Sequence, residues 1–201
     1  MVAFSPDGTR IATGCNNKIA KEWDIATGKL LFTFPCNPNG VTLMAFSPDR
    51  DAKRIAISDV ALTAKIYDAD TGKELLALNK PMPPTVGVSV VFSSDGKRIA
   101  TATYDGEVTV WDALSGRALL SWTTSRAFAV EFDRPSGTRL ITSHNDGTIK
   151  VWDVSTQNPG LLFTLAGHAS TVRGIDISPV GSRLVTASYD ATARIWDITA
   201  N

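Results

Sequence analysis

The sequence is poor in the residues that enzymes and metal proteins use. Its 201 residues include only two histidines, His144 and His168, and two cysteines, Cys15 and Cys36. Neither histidine has a cysteine or carboxylate at a metal-ligand spacing, and the nucleophile-elbow, zinc-protease, phosphate-loop and dinucleotide-binding motifs are missing. Two cysteines cannot form a disulfide framework, and they fit a reducing compartment. We therefore expect no catalytic residue, no metal, no cofactor and a cytoplasmic location.

The sequence also lacks an excess of charge and any long apolar run. Lys and Arg number 20 and Asp and Glu number 20, whereas a dedicated nucleic-acid binder needs a basic face. No apolar run approaches the roughly 18 residues of a membrane helix. Pro6, Asp7 and Gly8 stand where a secretory signal would be apolar. We expect neither nucleic acid nor membrane as a partner.

The dominant feature of the sequence is an internal repeat. Aromatic-Asp pairs recur at spacings of 44, 44, 41 and 44 residues, at Trp23-Asp24, Tyr67-Asp68, Trp111-Asp112, Trp152-Asp153 and Trp196-Asp197. An arginine lies 13 residues before each aromatic residue, at Arg10, Arg54, Arg98, Arg139 and Arg183. A turn string such as SPDG at 5–8 or SSDG at 93–96 precedes each arginine. This agreement predicts five copies of one structural unit.

Each unit has the pattern of four short antiparallel strands. In the third unit, β-rich runs at 88–92, 98–103, 107–111 and 117–122 are separated by turn residues. Such a unit of about 40–45 residues is typical of one propeller blade. The approximate blades are 1–34, 41–78, 86–122, 127–165 and 170–201, within one domain spanning 1–201.

The strings SYDATARIWD at 188–197, TYDGEVTVWD at 103–112 and HNDGTIKVWD at 144–153 resemble the WD40-repeat family over essentially the whole chain. The Thr-Gly turns after the Trp-Asp pairs are closer to bacterial arrays. The resemblance implies an all-β, WD40-type β-propeller of five blades, the last without its outer strand. It also implies a non-enzymatic scaffold that binds a protein or peptide. Two alternatives stay open: a sensor or regulatory part of a larger protein with a kinase or NTPase domain, and a propeller-based hydrolase.

The resemblance assigns a structural hydrogen-bonded tetrad to the fifth blade: His168, Thr186 or Ser188, Asp190 and Trp196. Other blades depart from this pattern, and the second departs most, with Tyr67 for the Trp and Ala61 for the Asp. We expect the second blade to lack the network and its turn at 59–63 to be irregular. We interpret the five repeat arginines as solvated positions on one rim, with an anion-binding ring as the alternative.

Members of this family commonly bind partners on the rim to which the residue before the turn Asp projects. Here that expectation selects Tyr104, Asn145 and Tyr189, together with Phe128 and Arg173 at the starts of two strands. The alternative is that the tyrosines merely cap blade edges.

The count of five units and nineteen strands also bears on closure, because rings of this family usually hold seven blades. Three arrangements are open: a compact five-blade ring, a partial ring completed by another copy, and part of a longer propeller. We favour an open or incomplete ring, which could self-associate through its open blade edges.

Overall fold

The computed structural model describes residues 1–14, 19–35, 41–49, 53–59, 64–78 and 88–199, without the side chains of Thr42 and Val88. This part of the chain contains nineteen strands and no helix. The strands are β1 Val2–Phe4, β2 Arg10–Gly14, β3 Ile19–Asp24, β4 Leu30–Pro35, β5 Val41–Phe46, β6 Arg54–Asp59, β7 Ala64–Asp68, β8 Glu74–Leu78, β9 Val88–Phe92, β10 Arg98–Thr103, β11 Glu107–Asp112, β12 Ala118–Thr123, β13 Ala127–Phe132, β14 Arg139–His144, β15 Ile149–Asp153, β16 Gly160–Leu165, β17 Val172–Ile177, β18 Arg183–Ser188 and β19 Ala193–Asp197.

The strands form five antiparallel sheets, one for each repeat. Strands β1–β4, β5–β8, β9–β12 and β13–β16 form four-stranded blades 1 to 4, and β17–β19 form a three-stranded blade 5. The first strands of neighbouring blades contact one another, which places them innermost in the stack. The prediction of five propeller-type blades, with the outer strand missing from the last, is confirmed.

The turns between second and third strands depend on residues that accept a left-handed backbone. Gly106 and Gly147 have φ values of 94° and 83°. A Cβ at Gly106 would collide with the carbonyl of Thr124, and a Cβ at Gly147 with that of His168. The glycines therefore let these turns lie directly against the connections that enter the next blade. Blade 5 carries Ala191 in the corresponding turn, with φ 63°.

Each blade has two different faces, and neighbouring blades always join one kind to the other. In blade 3, the tryptophan face carries Phe92, Ile99 and Trp111, and the small-residue face carries Ala100 and Val110. The small-residue faces of blades 1 to 4 pack on the tryptophan faces of blades 2 to 5, with Tyr67 replacing the tryptophan in blade 2. Strand alternation thus builds four equivalent interfaces from one repeat.

The five blades do not close on themselves. Phe4 and Ile25, on the tryptophan face of blade 1, are 65% and 43% exposed. Val185 and Ile195, on the small-residue face of blade 5, are 42% and 69% exposed. The favoured expectation of an open arrangement agrees with these uncovered faces.

The repeat arginines link neighbouring blades, so their interpretation as solvated rim positions is wrong for four of the five. The Nη1 atom of each of these four arginines donates to a backbone carbonyl of the next blade. The accepting residue stands two positions after the aromatic residue of that blade's aromatic-Asp pair. The pairs are Arg10 to Ala69 (3.0 Å), Arg54 to Ala113 (3.1 Å), Arg98 to Val154 (3.3 Å) and Arg139 to Ile198 (2.9 Å). The guanidinium groups of Arg10, Arg54 and Arg98 also lie 5.2–5.9 Å from the centroid of the next blade's Phe46, Phe92 or Phe132. We call each such linkage an arginine bridge.

The arginine bridge predicts a stability cost that is specific to its position. Arg98→Met should lower the free energy of unfolding by about 1.5–3 kcal/mol, because the carbonyls of Gly137 and Val154 lose a charged donor. Arg117→Met, at an exposed position of the same blade, should change it by less than about 0.5 kcal/mol. Urea unfolding of the two variants measures the difference, and equal costs would contradict a bridging role.

Candidate binding site on one rim

One rim of the blade stack is built by two kinds of connection that hydrogen-bond to each other. The turns after β10, β14 and β18 meet the connections that enter β13 and β17. Thr124 N donates to Gly106 O (2.8 Å), Asn145 N to Arg126 O (3.2 Å) and Tyr189 N to Thr171 O (2.9 Å). Tyr104, Asn145 and Tyr189 lie in these turns, and backbone hydrogen bonds between turns and connections fix their positions. Phe128 and Arg173 lie close by, near the starts of β13 and β17.

A four-membered hydrogen-bond chain supports this rim in blade 5. Trp196 Nε1 donates to Thr186 Oγ1 (2.9 Å), which lies 2.7 Å from His168 Nε2. His168 Nδ1 lies 2.8 Å from Asp190 Oδ2. If the Thr186 hydroxyl donates to Nε2, the Nδ1–H tautomer of His168 donates to Asp190 and every member is satisfied.

Ser188, the alternative to Thr186 in this hydrogen-bond network, has different partners. Ser188 Oγ donates to Ser170 O (2.9 Å) and accepts from Asp190 N (3.1 Å). Ser188 therefore holds the turn rather than linking the indole to the imidazole. The hydrogen bond from Thr192 is the largest influence on Asp190 and keeps the pKa of that carboxyl well below its usual range.

Blade 4 has a histidine in its network that the sequence analysis did not place there. His144 Nε2 lies 2.8 Å from Thr142 Oγ1, which accepts from Trp152 Nε1 (2.9 Å). His144 Nδ1 lies 2.9 Å from Ser125 Oγ. The imidazole comes from the end of β14 instead of from the segment that precedes the blade, yet it completes the same threonine–tryptophan pair.

The remaining blades keep less of the network. Trp23 donates to Thr13 (2.9 Å) and Trp111 to Thr101 (2.8 Å). In blade 2, Ile57 occupies the threonine position, and the Tyr67 hydroxyl lies 3.4 Å from Pro35 O of blade 1. Blade 2 therefore joins its aromatic residue to the neighbouring blade. The predicted irregular turn at 59–63 lies, apart from Asp59, outside the described residues.

The structure brings four of the five predicted partner-binding residues into one continuous stack. Tyr104 and Phe128 meet edge to face, with centroids 5.2 Å apart. Arg173 lies between Phe128 (4.6 Å) and Tyr189 (5.6 Å), measured from Cζ to each ring centroid. A fifth residue that sequence reasoning missed, Arg126, lies 5.0 Å over the Tyr104 ring and donates to its hydroxyl (3.3 Å).

We call these five side chains, Arg126, Tyr104, Phe128, Arg173 and Tyr189, the arginine–aromatic ladder. It crosses blades 3, 4 and 5, and both guanidinium-bearing residues are exposed. Among the described residues, neither arginine has a carboxylate within ion-pair distance. The ladder therefore offers two positive charges held over aromatic rings.

Asn145 lies outside the stack and acts through its backbone. Its N–H donates to Arg126 O, and its carbonyl accepts from Thr171 Oγ1 (3.1 Å). It thereby ties the connection that carries Arg126 to the connection that leads into β17, where Arg173 lies. A signal for Arg126 was present in the sequence, because it stands two residues before Phe128 and so projects to the same side of an extended chain.

The described part of the chain offers little for a metal or a membrane. Across the described ranges, no three His, Cys, Asp or Glu side chains are placed to hold a metal ion. Within those ranges, no helix is long and apolar enough to cross a membrane. Cys15 and Cys36 lie outside the described residues.

The buried His144 predicts a pH-dependent contribution to stability. Burial, aided by the Lys150 ammonium, lowers the pKa of His144 to about 4, so the folded chain holds it neutral. The unfolded chain takes up this proton below about pH 6.5, so this stability is present above that pH and is lost as the pH falls towards 4.

His144→Asn removes this titration, so its stability deficit relative to the parent chain should shrink by about 2–3 kcal/mol between pH 7 and 4.5. Urea unfolding at a series of pH values measures this difference. A deficit that stays constant with pH would contradict a neutral, buried imidazole.

The comparisons with known proteins agree with this architecture. The family model described as "WD domain, G-beta repeat" matches residues 1–24, 83–112, 132–153 and 160–197. These segments make up more than half of the chain and omit blade 2, the blade whose network differs most.

Similar curated proteins include the WD repeat-containing protein WDS homolog of Arabidopsis thaliana, 32% identical over 54% of this chain and 21% of that protein. Small ribosomal subunit protein RACK1 of Caenorhabditis elegans is 31% identical over 55% of this chain and 35% of its own length. Eukaryotic translation initiation factor 3 subunit I of Scheffersomyces stipitis is 29% identical, over 60% and 37%. The matches cover about a fifth to just over a third of these relatives. With the repeat, the five sheets and the family match in agreement, the chain belongs to the WD40-repeat family.

Proposed function

We propose that this chain is a non-enzymatic protein-interaction module whose arginine–aromatic ladder binds an acidic segment of a partner protein. The observation that carries the proposal is the continuous stack from Arg126 to Tyr189 across three blades. Tyrosine and arginine are enriched at the centres of protein interfaces, where they combine large contact area with directional donors. Two relatives are named as a ribosomal-subunit protein and an initiation-factor subunit, which is in keeping with a role in assemblies.

The charge of the ladder favours acidic ligands. A guanidinium that lies over an aromatic ring can still donate hydrogen bonds through its edge to a carboxylate or phosphate. Nearby carboxylates already accept local bonds: Asp146 from Thr148, and Asp190 from His168, Ala169 and Thr192. A partner carboxylate would therefore meet arginines that are ordered by stacking and not neutralised by an ion pair.

Two alternatives have less support. A regulatory module in a larger protein would use the same ladder, with its ligand in the same polypeptide. A propeller-based hydrolase would need converging carboxylates. Glu131 and Asp176 do lie on neighbouring innermost strands, and burial, offset by Arg134 and reinforced by Asp176, raises the pKa of Glu131 to about 7. In the described ranges, however, no third His, Cys, Asp or Glu side chain joins this pair to form a metal site.

Selection of peptides from a phage-displayed random library tests the proposal. The parent chain should enrich sequences rich in Asp and Glu, and Arg126→Ala with Arg173→Ala should weaken their binding by about tenfold or more. Tyr189→Phe keeps the stacked ring and should retain binding, whereas Tyr189→Ala should lose part of it.

Arg117→Ala is the matched control, because this exposed arginine lies in the turn after β11, at the opposite end of the strand from the ladder. Enrichment that survives the double substitution would contradict the proposal. Preference for a single-stranded oligonucleotide over every selected peptide would contradict it as well, since stacked bases also fit arginines and aromatic rings.

A further inference from the structure

The two ends of the blade stack carry the two halves of one further arginine bridge. The donor lies on blade 5 and the acceptors lie on blade 1. Register pairs Arg183 with Asp197 in blade 5, as it pairs Arg10 with Asp24 and Arg98 with Asp112. Arg183 is the exposed member of the five, and no side-chain hydrogen bond or ion pair engages its guanidinium in the described part of the chain. It is the fifth donor of a linkage that is made four times elsewhere.

The matching acceptors lie on blade 1. Ile25 stands two residues after Trp23, the position whose carbonyl accepts the bridge in blades 2 to 5. Gly8 corresponds to Gly96 and Gly137, whose carbonyls accept Nη2 of Arg54 and Arg98. Phe4 pairs with Ile11 as Phe92 pairs with Ile99, and Phe4 is 65% exposed.

The apolar faces around these groups match in the same way. Val185, Ala187, Ala193 and Ile195 occupy the positions of Ala100, Ala102, Val108 and Val110, all of which are fully buried in blade 3. On blade 1, Phe4, Ile11 and Trp23 occupy the positions of Phe92, Ile99 and Trp111, which are at most 6% exposed. A concave apolar area lined by Phe4, Ile11, Trp23 and Ile25 remains open there.

We propose that blade 5 of one copy of this chain docks head to tail on blade 1 of a second copy, with Arg183 forming the fifth arginine bridge. The internal interfaces show which surface fits each open face, and this chain carries both surfaces. The contact is heterologous, so a dimer keeps one open blade 1 face and one open blade 5 face, and larger species grow with concentration. This inference is independent of the proposed ligand of the rim.

Complementary variants of the intact chain test the direction of docking. Ile195→Asp blocks only the blade 5 face, and Phe4→Asp blocks only the blade 1 face. Both replace side chains that are more than 60% exposed, so the fold should survive, as circular dichroism can verify. In sedimentation velocity, the parent chain should associate as its concentration rises, and each variant alone should stay monomeric.

An equal mixture of the two variants should form a dimer and stop there, because each supplies the face that the other lacks. Dimers of Ile195→Asp alone would indicate blade 1 meeting blade 1, and would overturn the proposal. A parent chain that stays monomeric would overturn it, as would association unaffected by either variant, the result expected if exposed strand edges paired instead.

Arg183→Ala tests the bridge itself. Loss of charged hydrogen bonds to two carbonyls should weaken the association by about 10- to 100-fold. Arg117→Ala, an exposed arginine outside both faces, and Leu114→Asp, at a side chain that is 85% exposed, should leave it unchanged. An equal effect of Arg117→Ala and Arg183→Ala would show that only general charge matters and would reject the bridge.

Discussion

A single blade cannot bury either of its faces, and the rest of this structure depends on that constraint. Each sheet is apolar on both sides, so it folds stably only when blades stack, and the repeat supplies two faces that fit each other. The arginine bridge adds direction to this otherwise unspecific apolar contact. Its guanidinium reaches backbone carbonyls that exist whatever side chains the next blade carries, and in three of the four bridges it also lies over a Phe ring of that blade. A fixed donor and a backbone acceptor keep successive blades in register even where core residues change, as at Tyr67.

The hydrogen-bond chains inside the blades connect this packing to the rim. In blade 5 the chain runs from Trp196, in the blade interface, through Thr186 and His168 to Asp190, beside Tyr189. In blade 4 the equivalent chain ends at Ser125, beside Arg126. Both ladder residues at these ends are therefore anchored through satisfied polar groups to the interior of a blade. Such support lowers the conformational entropy that a partner would otherwise have to remove from the rim.

Much of the fold could be predicted from the sequence because the pattern of each strand and turn recurs in several repeats. The function of the arginines could not, since a bond to a backbone carbonyl leaves no partner residue to recognise in the sequence. His144 was missed because the family pattern places the histidine before the blade, whereas here it ends the strand that also carries Thr142. Glu22 occupies a position that is apolar in other blades and is fully buried, and only the structure shows its carboxylate 3.2 Å from Arg10. Arg10 and Glu22 lie on neighbouring strands of blade 1, so their contact depends on the folded blade.

The contrast between repeated and unrepeated positions explains where a binding function can arise. Positions on the blade faces recur because every blade must fit the next, and their side chains are restricted to a few shapes. The rim positions carry no such restriction: the residues before the turn Asp include Tyr104, Asn145 and Tyr189, and the strand starts carry Phe128 and Arg173. A ladder that spans three blades therefore needs a different residue from each copy of the same unit. Partner binding can therefore arise at rim positions, where the five repeats differ. The blade stack that supports these positions is formed by blade-face residues, which the repeats share.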